Sequence, residues 1–138
     1  TAGGGAGECR GGAGVIRDYR ILADEAHFTA TFGRHKYLPW GMKGGKPGTR
    51  NEVNIISAHG EPEQVFGKCA RLRLQKDDVA RLITGCGGGY GSPYKRPVEK
   101  VRDDVKNGYI SLEQAWSYYG VRLNAEDLAI LELAPERK

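Results

Sequence analysis

Glycine is concentrated at three places along these 138 residues rather than spread evenly. Ala2–Gly14 reads AGGGAGECRGGAG, Gly41–Gly48 reads GMKGGKPG, and Gly85–Pro93 reads GCGGGYGSP. Glycine loses more backbone entropy on ordering than any other residue, so clusters of it weaken a fold unless their conformation is needed. The need takes one of three forms: backbone packed closely on backbone, turns with positive φ, or bare N–H groups aimed at a ligand. A flexible linker is the plain alternative. With 21 glycines and 6 prolines beside recurring short runs of Val, Ile, Leu and aromatics, the chain is rich in loops yet able to build a core.

The length suits one domain. A net charge of +4, with acidic residues interspersed among the basic ones, permits an anionic partner but does not argue for nucleic acid. Cys9, Cys69 and Cys86 show no CxxC spacing, and an odd count without a signal peptide fits a reducing cytoplasm better than a disulfide framework. No apolar run approaches the roughly 18 residues that span a bilayer, so no membrane partner is expected. The chain starts with Thr1 directly before a glycine cluster, which reads as a piece of a longer polypeptide or a processed subunit. On that reading the first cluster packs against the missing part.

The fold class expected is α+β, a β-rich glycine-containing region over 1–93 followed by a C-terminal helical region over 94–138. Val15–Leu22 has Val15, Tyr19 and Ile21 on one side and Ile16 and Leu22 on the other, the mark of a strand sandwiched between layers. His27–Phe32 alternates, with Phe28, Ala30 and Phe32 facing one way. Val53–Ser57 is a short buried-type run. Arg71–Leu74 and Val79–Thr84, joined by the polar Lys76–Asp78, read as a hairpin.

After Pro97 the period becomes helical. Val98, Val101 and Val105 form one face, while Glu99, Lys100, Arg102, Asp103, Asp104 and Lys106 are expected to face solvent. Lys100 and Asp104 would form an i,i+4 pair worth a few tenths of a kcal/mol. Gly108 suits the helix end. A second helix has Ser111 as N-cap with Gln114 three residues on, a capping box, flanked by Ile110 and Ala115; it stops at Gly120. A weaker helical pattern covers Ala125–Leu133.

Gly41–Thr49 invites a nucleotide reading and fails it, because a P-loop requires G-x-x-x-x-G-K-[ST] opening a helix, and here Lys46 is followed by Pro47. His27, His35 and His59 lack metal-ligand spacing, and no metal site is expected. Arg34 and His35, followed closely by Trp40, could hold a carboxylate, phosphate or bicarbonate; a solvated basic loop is the plain alternative. Gly87, Gly88, Gly89 and Tyr90 follow a strand and could admit another chain or present N–H donors. These seven residues are the ligand or interface candidates. Cys86, between glycines, reads as accessible but has no basic neighbour to lower its thiol pKa. No residue stands out as catalytic.

The blocks RGGAGVIRDYRIL (Arg10–Leu22), GRHKYLPWGMKGGKPG (Gly33–Gly48), LITGCGGGYGSP (Leu82–Pro93) and PVEKVRDDVKNGYISLEQAWSYYGV (Pro97–Val121) resemble, in order and separation, the carboxy-terminal region of hydantoinase B-type subunits. That family includes N-methylhydantoinase, 5-oxoprolinase and the acetone and acetophenone carboxylases. The resemblance covers residues 2–123. The family often has a proline and a basic stretch where this chain has Gly33–Lys36, and TPGGGGYGDP where it has TGCGGGYGSP, so Cys86 and Ser92 inherit no role.

The resemblance implies part of an ATP-dependent two-component enzyme, a hetero-oligomer inactive as this chain alone. A hydantoinase A-type subunit with an actin-like ATPase fold would bind ATP and Mg and phosphorylate the substrate oxygen. The hydantoinase B-type subunit, of which this chain would be one part, would complete the reaction. Hydrolysis of a cyclic amide such as a hydantoin or 5-oxoproline is the leading expectation. Carboxylation of acetone or acetophenone, a ligase-type reaction, and a purely structural interface role are the alternatives; a nucleic-acid module drawn from Arg34–Trp40 is weaker still.

Overall fold

The structure is a computed structural model that describes residues 3–137. Thr1, Ala2 and Lys138 lie outside the described residues, so the opening glycine cluster is seen from Gly3 onward. The mixture of antiparallel strands followed by two helices is α+β, as the sequence led us to expect. Tertiary contacts group the chain into two compact units. One takes in the segments through Ala13, Pro39–Thr49 and Cys86 onward; the other comprises Gly14–Leu38 and Arg50–Gly85. The change of local structure near residue 93 and this grouping are different properties: the first follows sequence period, the second the pairing of remote segments.

The second unit is all β. Strands β1 (Ile16–Arg20), β3 (Glu52–Ile56), β4 (Gln64–Phe66) and β6 (Val79–Ile83) form one antiparallel sheet in the order β1-β6-β3-β4. Strands β2 (Glu25–Thr31) and β5 (Lys68–Gln75) form a separate antiparallel pair. Ala30, Val53, Ile55, Leu74 and Ala80 are its buried core, with Phe28, Phe32, Phe66 and Leu72 packed around them. The alternation of His27–Phe32 is realised: Ala30 is buried, Phe28 and Phe32 are half-buried, and His27, Thr29 and Thr31 are exposed. Between Phe28 and Ala30 the register slips, because two residues of β5, Ala70 and Arg71, oppose Thr29 alone. Arg71 takes up the extra length with φ of 51°, and its N–H donates to Thr29 Oγ1 at 3.0 Å.

Two strand expectations are corrected here. The run through Arg71–Leu74 and Val79–Thr84 is not a hairpin: β5 pairs with β2, whereas β6 lies between β1 and β3 in the other sheet. The turn between them carries Asp77 at φ 69°, and the Asp78 side chain accepts from the N–H groups of Gln75 and Ala58, so the chain turns a corner between sheets. The stretch Val15–Leu22 is not sandwiched. Its strand β1 is an edge strand with all five residues exposed.

The first unit carries helices α1 (Val98–Lys106) and α2 (Leu112–Tyr119) and the antiparallel pair β7 (Val121–Leu123) and β8 (Ile130–Leu133). Ala6, Val101, Ile110, Ala115, Tyr119, Val121 and Leu123 make its core, with Val98, Val105 and Leu112 against them. Gly108 at φ 72° and Gly120 at φ 63° end the two helices. The capping box is formed: Gln114 N–H donates to Ser111 Oγ at 3.1 Å, and Ser111 N–H to Gln114 Oε1 at 2.9 Å. We expect Ser111→Ala to destabilise the chain by about 1 kcal/mol, read as a lowered thermal midpoint. The helix expected over Ala125–Leu133 is instead a turn followed by β8. Asn124 Oδ1 accepts from Glu126 N–H and Asp127 Oδ1 from Ala129 N–H, each at the spacing of an Asx turn, and Leu128 sits at φ 57°. Such side-chain bonds offer the backbone an alternative to the helix, and here they prevail.

The three glycine clusters pack on one another within this unit. Gly5 N–H donates to Gly87 C=O (2.8 Å), Lys46 N–H to Ala6 C=O (2.7 Å), Gly89 N–H to Lys46 C=O (2.9 Å) and Met42 N–H to Gly89 C=O (2.9 Å). Cys9 and Tyr90 exchange both backbone bonds, at 2.9 and 3.0 Å. Gly4 to Gly7 are thus buried by this chain's own backbone rather than awaiting a missing segment. The spacing leaves no room for side chains at the crossings: a Cβ on Gly45 would lie 2.2 Å from Gly89 O, and one on Gly89 2.2 Å from Ala6 O.

Candidate functional site

Three segments remote in sequence converge on one carboxylate in the first unit. Asp104 is 6% exposed, which corrects its placement on the solvent face of α1. It follows Val101 by three residues and precedes Val105, so it lies within the valine stripe; a polar residue inside an apolar stripe is the sequence signal that marks it. Its Oδ2 accepts from Arg96 Nε at 3.0 Å, with Arg96 Nη2 at 2.8 Å, and Arg10 Nε lies 3.4 Å from Oδ1. Arg10 in turn lies over the Tyr109 ring at 4.5 Å, and Arg96 Nη1 donates to Glu8 C=O at 3.0 Å. Arg137 donates to the carbonyls of Tyr119 and Arg96. With its two oxygens engaged by two guanidinium groups, Asp104 clamps the opening segment to α1. Burial pushes the Tyr119 phenol above its ordinary value, an effect the Arg96 charge opposes and Asp104 reinforces. Tyr119 therefore stays neutral near pH 7.

A cleft of about 340 Å³ opens beside the glycine weave, floored by residues 3–6 and walled by Lys46, Thr49, Gln114 and Tyr118. Two of its polar groups already serve the fold: Thr49 Oγ1 accepts from Cys86 N–H at 2.9 Å, and Gln114 Oε1 belongs to the capping box. Cys86 itself is 4% exposed, which corrects the accessible thiol expected from its glycine neighbours.

The sequence candidates divide between the units. Arg34 and His35 belong to the second; Trp40 and Gly87–Tyr90 belong to the first. Arg34 is exposed at φ 53°, and its carbonyl accepts from Asn51 N–H at 3.1 Å. His35 is half-buried, with its ring against Gly67 and Nδ1 at 2.9 Å from Phe32 C=O. As donor to that carbonyl Nδ1 carries the proton, which leaves Nε2 as the acceptor in the neutral ring. Trp40 is 67% exposed, and its carbonyl packs on Gly88. The N–H groups of Gly87, Gly89 and Tyr90 bond to Gly12, Lys46 and Cys9, so this run packs backbone on backbone and does not cradle an anion.

The second unit holds one buried carboxylate that sequence reading passed over. Asp78, 6% exposed, accepts from Gln75 N–H at 2.7 Å and Ala58 N–H at 3.0 Å, and His59 Nε2 lies 4.0 Å away. Burial pushes its carboxyl up. The N–H groups of Gln75 and Ala58, the His59 charge and the Ser57 hydroxyl together outweigh that and leave it below the usual carboxylate value. A depressed folded-state pKa contributes stability that is complete above the unfolded value of about 3.9 and is lost as pH falls through the folded value. We expect unfolding free energy to decline through this acid window, and Asp78→Asn to flatten the decline; identical acid profiles in both proteins would exclude the assignment.

Among the described residues no group of three or more His, Cys, Asp or Glu is arranged to hold a metal, and no helix is long and apolar enough to cross a membrane.

The hydantoinase B/oxoprolinase family model matches residues 1–93. The chain is 37% identical over 118 residues to a putative D-/L-hydantoinase component of Pseudomonas sp. (strain NS671), a match covering 85% of this chain and 20% of that protein. The crystal structure of the ATP-dependent caprolactamase from Pseudomonas jessenii superposes with a TM-score of 0.75 at 31% identity, covering 91% of this chain and 22% of the other. A nucleotide-free acetone carboxylase shares the fold, with a TM-score of 0.71 at 19% identity over 99% of this chain and 22% of its own. The chain spans about a fifth of the length of the curated hydantoinase and caprolactamase relatives it matches. The blocks quoted from the sequence, the matching family model and the shared fold agree: the chain belongs to the hydantoinase B/oxoprolinase family.

Proposed function

We propose that this chain is a segment of a hydantoinase B-type subunit in a cytoplasmic, ATP-dependent, two-component enzyme that opens cyclic amides. The observation that carries the reading is the likeness, at 31% identity over 91% of the chain, to an ATP-dependent caprolactamase, whose name states a cyclic amide and a nucleotide requirement. The chemistry agrees with the division of labour. An unactivated amide resists water because its carbonyl is resonance-stabilised. Phosphorylating the oxygen makes it a leaving group and lowers the barrier, tenfold in rate for each 1.4 kcal/mol or so.

The glycine- and lysine-rich loop at Gly41–Gly48 does not offer ATP a phosphate cradle. The N–H groups of Met42, Gly45, Lys46 and Gly48 all bond to backbone carbonyls, so the lysine-rich loop has none of them to give a phosphate. In this reading ATP and Mg are bound by a partner subunit of the hydantoinase A type, with an actin-like ATPase fold, as the family resemblance implies. Within this chain Arg34, His35 and Trp40 are the candidates for ligand or interface contact, with Gly87–Tyr90 as backbone that admits a close neighbour.

The test is the whole complex purified from its own cells. We expect ATP-dependent opening of a hydantoin to an N-carbamoyl amino acid, or of 5-oxoproline or caprolactam to the free amino acid, and no bicarbonate-dependent consumption of acetone or acetophenone. ATP-dependent ketone carboxylation instead would move the enzyme to the carboxylase branch. A complex lacking residues 1–138 that assembles and turns over normally would reduce the segment to a dispensable appendage. Arg34→Ala and Trp40→Ala, tested separately in the complex, are expected to lower kcat/KM at least tenfold; unchanged values would return both residues to a solvated loop.

A further inference from the structure

Val15, Ile16, Tyr19 and Leu22 are exposed by 55, 57, 44 and 78%, in and beside a strand that borders its sheet. They lie on both faces of the strand: Val15 and Tyr19 on one, Ile16 and Leu22 on the other. Strand β1 bonds β6 along one edge and has no strand on its other edge among the described residues. Beside it runs a mostly apolar groove of about 300 Å³, lined by Val15, Arg17, Phe32, Leu82 and Thr84. An edge strand with exposed apolar side chains and unpaired backbone groups is a template for pairing, and native proteins blunt such an edge with charge, bulges or a cover. Here the ladder to β6 runs without a slip from Ile16↔Ile83 to Arg20↔Val79, so no bulge breaks it. The strand carries three charged residues: Asp18 is engaged by Arg81 through two bonds of 2.8 Å, Arg17 Nη1 donates to Tyr19 Oη at 3.3 Å, and Arg20 is the third.

We propose that β1 is an internal strand of the full subunit, and that its open edge and the groove are covered by a β-strand from the part of the hydantoinase B-type polypeptide outside these residues. Two observations choose this occupant. Apolar side chains are exposed on both faces of the segment, Val15 and Tyr19 on one and Ile16 and Leu22 on the other, and among the described residues no strand pairs with its open edge. The relatives that share the segment are about four times as long as this chain, so they hold ample chain to supply it.

The inference rests on the subunit reading given under Proposed function, but not on the substrate or on ATP. A photo-reactive phenylalanine analogue is placed at Leu22, and for comparison at Glu61, in the complex made by its own cells; cross-linked peptides are then identified by mass spectrometry. We expect Leu22 to capture a peptide of hydantoinase B-type sequence from outside residues 1–138, at least tenfold above Glu61. Capture of a second copy of 1–138, capture of a different protein, or no excess over Glu61 would each overturn the proposal.

Should the analogue disturb assembly, amide hydrogen exchange on the unsubstituted complex tests whether the edge is covered. The amides of Ile16–Arg20 that do not bond β6 are expected to exchange at least a hundredfold more slowly than those of the exposed turn at His59 and Gly60. Equal rates would mean an open edge. Neither readout depends on turnover. A cross-linked complex inactive on cyclic amides would sink the functional reading alone, and an active complex with an open edge would sink this one alone.

Discussion

Gly89→Val is expected to abolish folding of the glycine-woven unit, and Gly89→Ala to destabilise it by about 3 kcal/mol or more. The Cβ would meet Ala6 O at 2.2 Å, Ala6 C and Gly5 O at 2.6 Å, all of them backbone atoms that cannot swing aside as a flexible side chain would. The Ala6 carbonyl is already engaged by Lys46 N–H at 2.7 Å, and Gly89 N–H by Lys46 C=O, so a backbone shift that makes room breaks bonds to the neighbouring segments. Overpacking usually costs about 1–3 kcal/mol, and lost buried hydrogen bonds add to it. Against a typical stability of roughly 5–15 kcal/mol, that is a large fraction. Gly12→Ala is the control from the same sequence cluster. Nothing lies within 4 Å of its Cβ, and its change should stay within about 0.5 kcal/mol. Equal thermal midpoints for the two alanine variants would contradict the packing described.

Asp104→Ala should destabilise the chain by about 3–5 kcal/mol, because it leaves two buried guanidinium groups without their counter-charge. Arg10 and Arg96 are only 15 and 11% exposed in their side chains, so water can replace the lost carboxylate poorly. The expected fall in the thermal midpoint is on the order of 10 °C. Arg10→Ala should be coupled to it: the double variant is expected to lose about 1–3 kcal/mol less than the sum of the two single losses. A loss below about 1 kcal/mol for Asp104→Ala would mean that the pair is solvated and the clamp idle.

What could be read from residues alone was local. The capping box at Ser111 and Gln114, the left-handed ends at Gly108 and Gly120, and the alternation of His27–Phe32 each depend on neighbours within four positions, and each is realised. Misreadings arose where the local signal was ambiguous and a remote partner decided. Ala125–Leu133 has helical spacing, but Asn124 and Asp127 hold their own backbone in turns and β7 offers a strand to pair with. Lys76–Asp78 marks a turn correctly, yet a turn residue does not say which strand its flanks will join. Asp104 reads as one of several charged residues until Arg10 and Arg96, eight or more positions away, are seen closing on it.

The glycine clusters show the same division. The sequence by itself determined that three segments could bear no side chains, since only close approach, unusual φ or ligand contact repays the entropy that glycine loses. It also carried family membership, in four ordered blocks. Tertiary structure alone decided which segment each cluster touches, because a backbone N–H is chemically identical at every residue and finds its partner only through the path of the whole chain. That path placed the third cluster in contact with both others, engaged the N–H groups of Gly87, Gly89 and Tyr90, and left the edge strand at Ile16–Arg20 exposed.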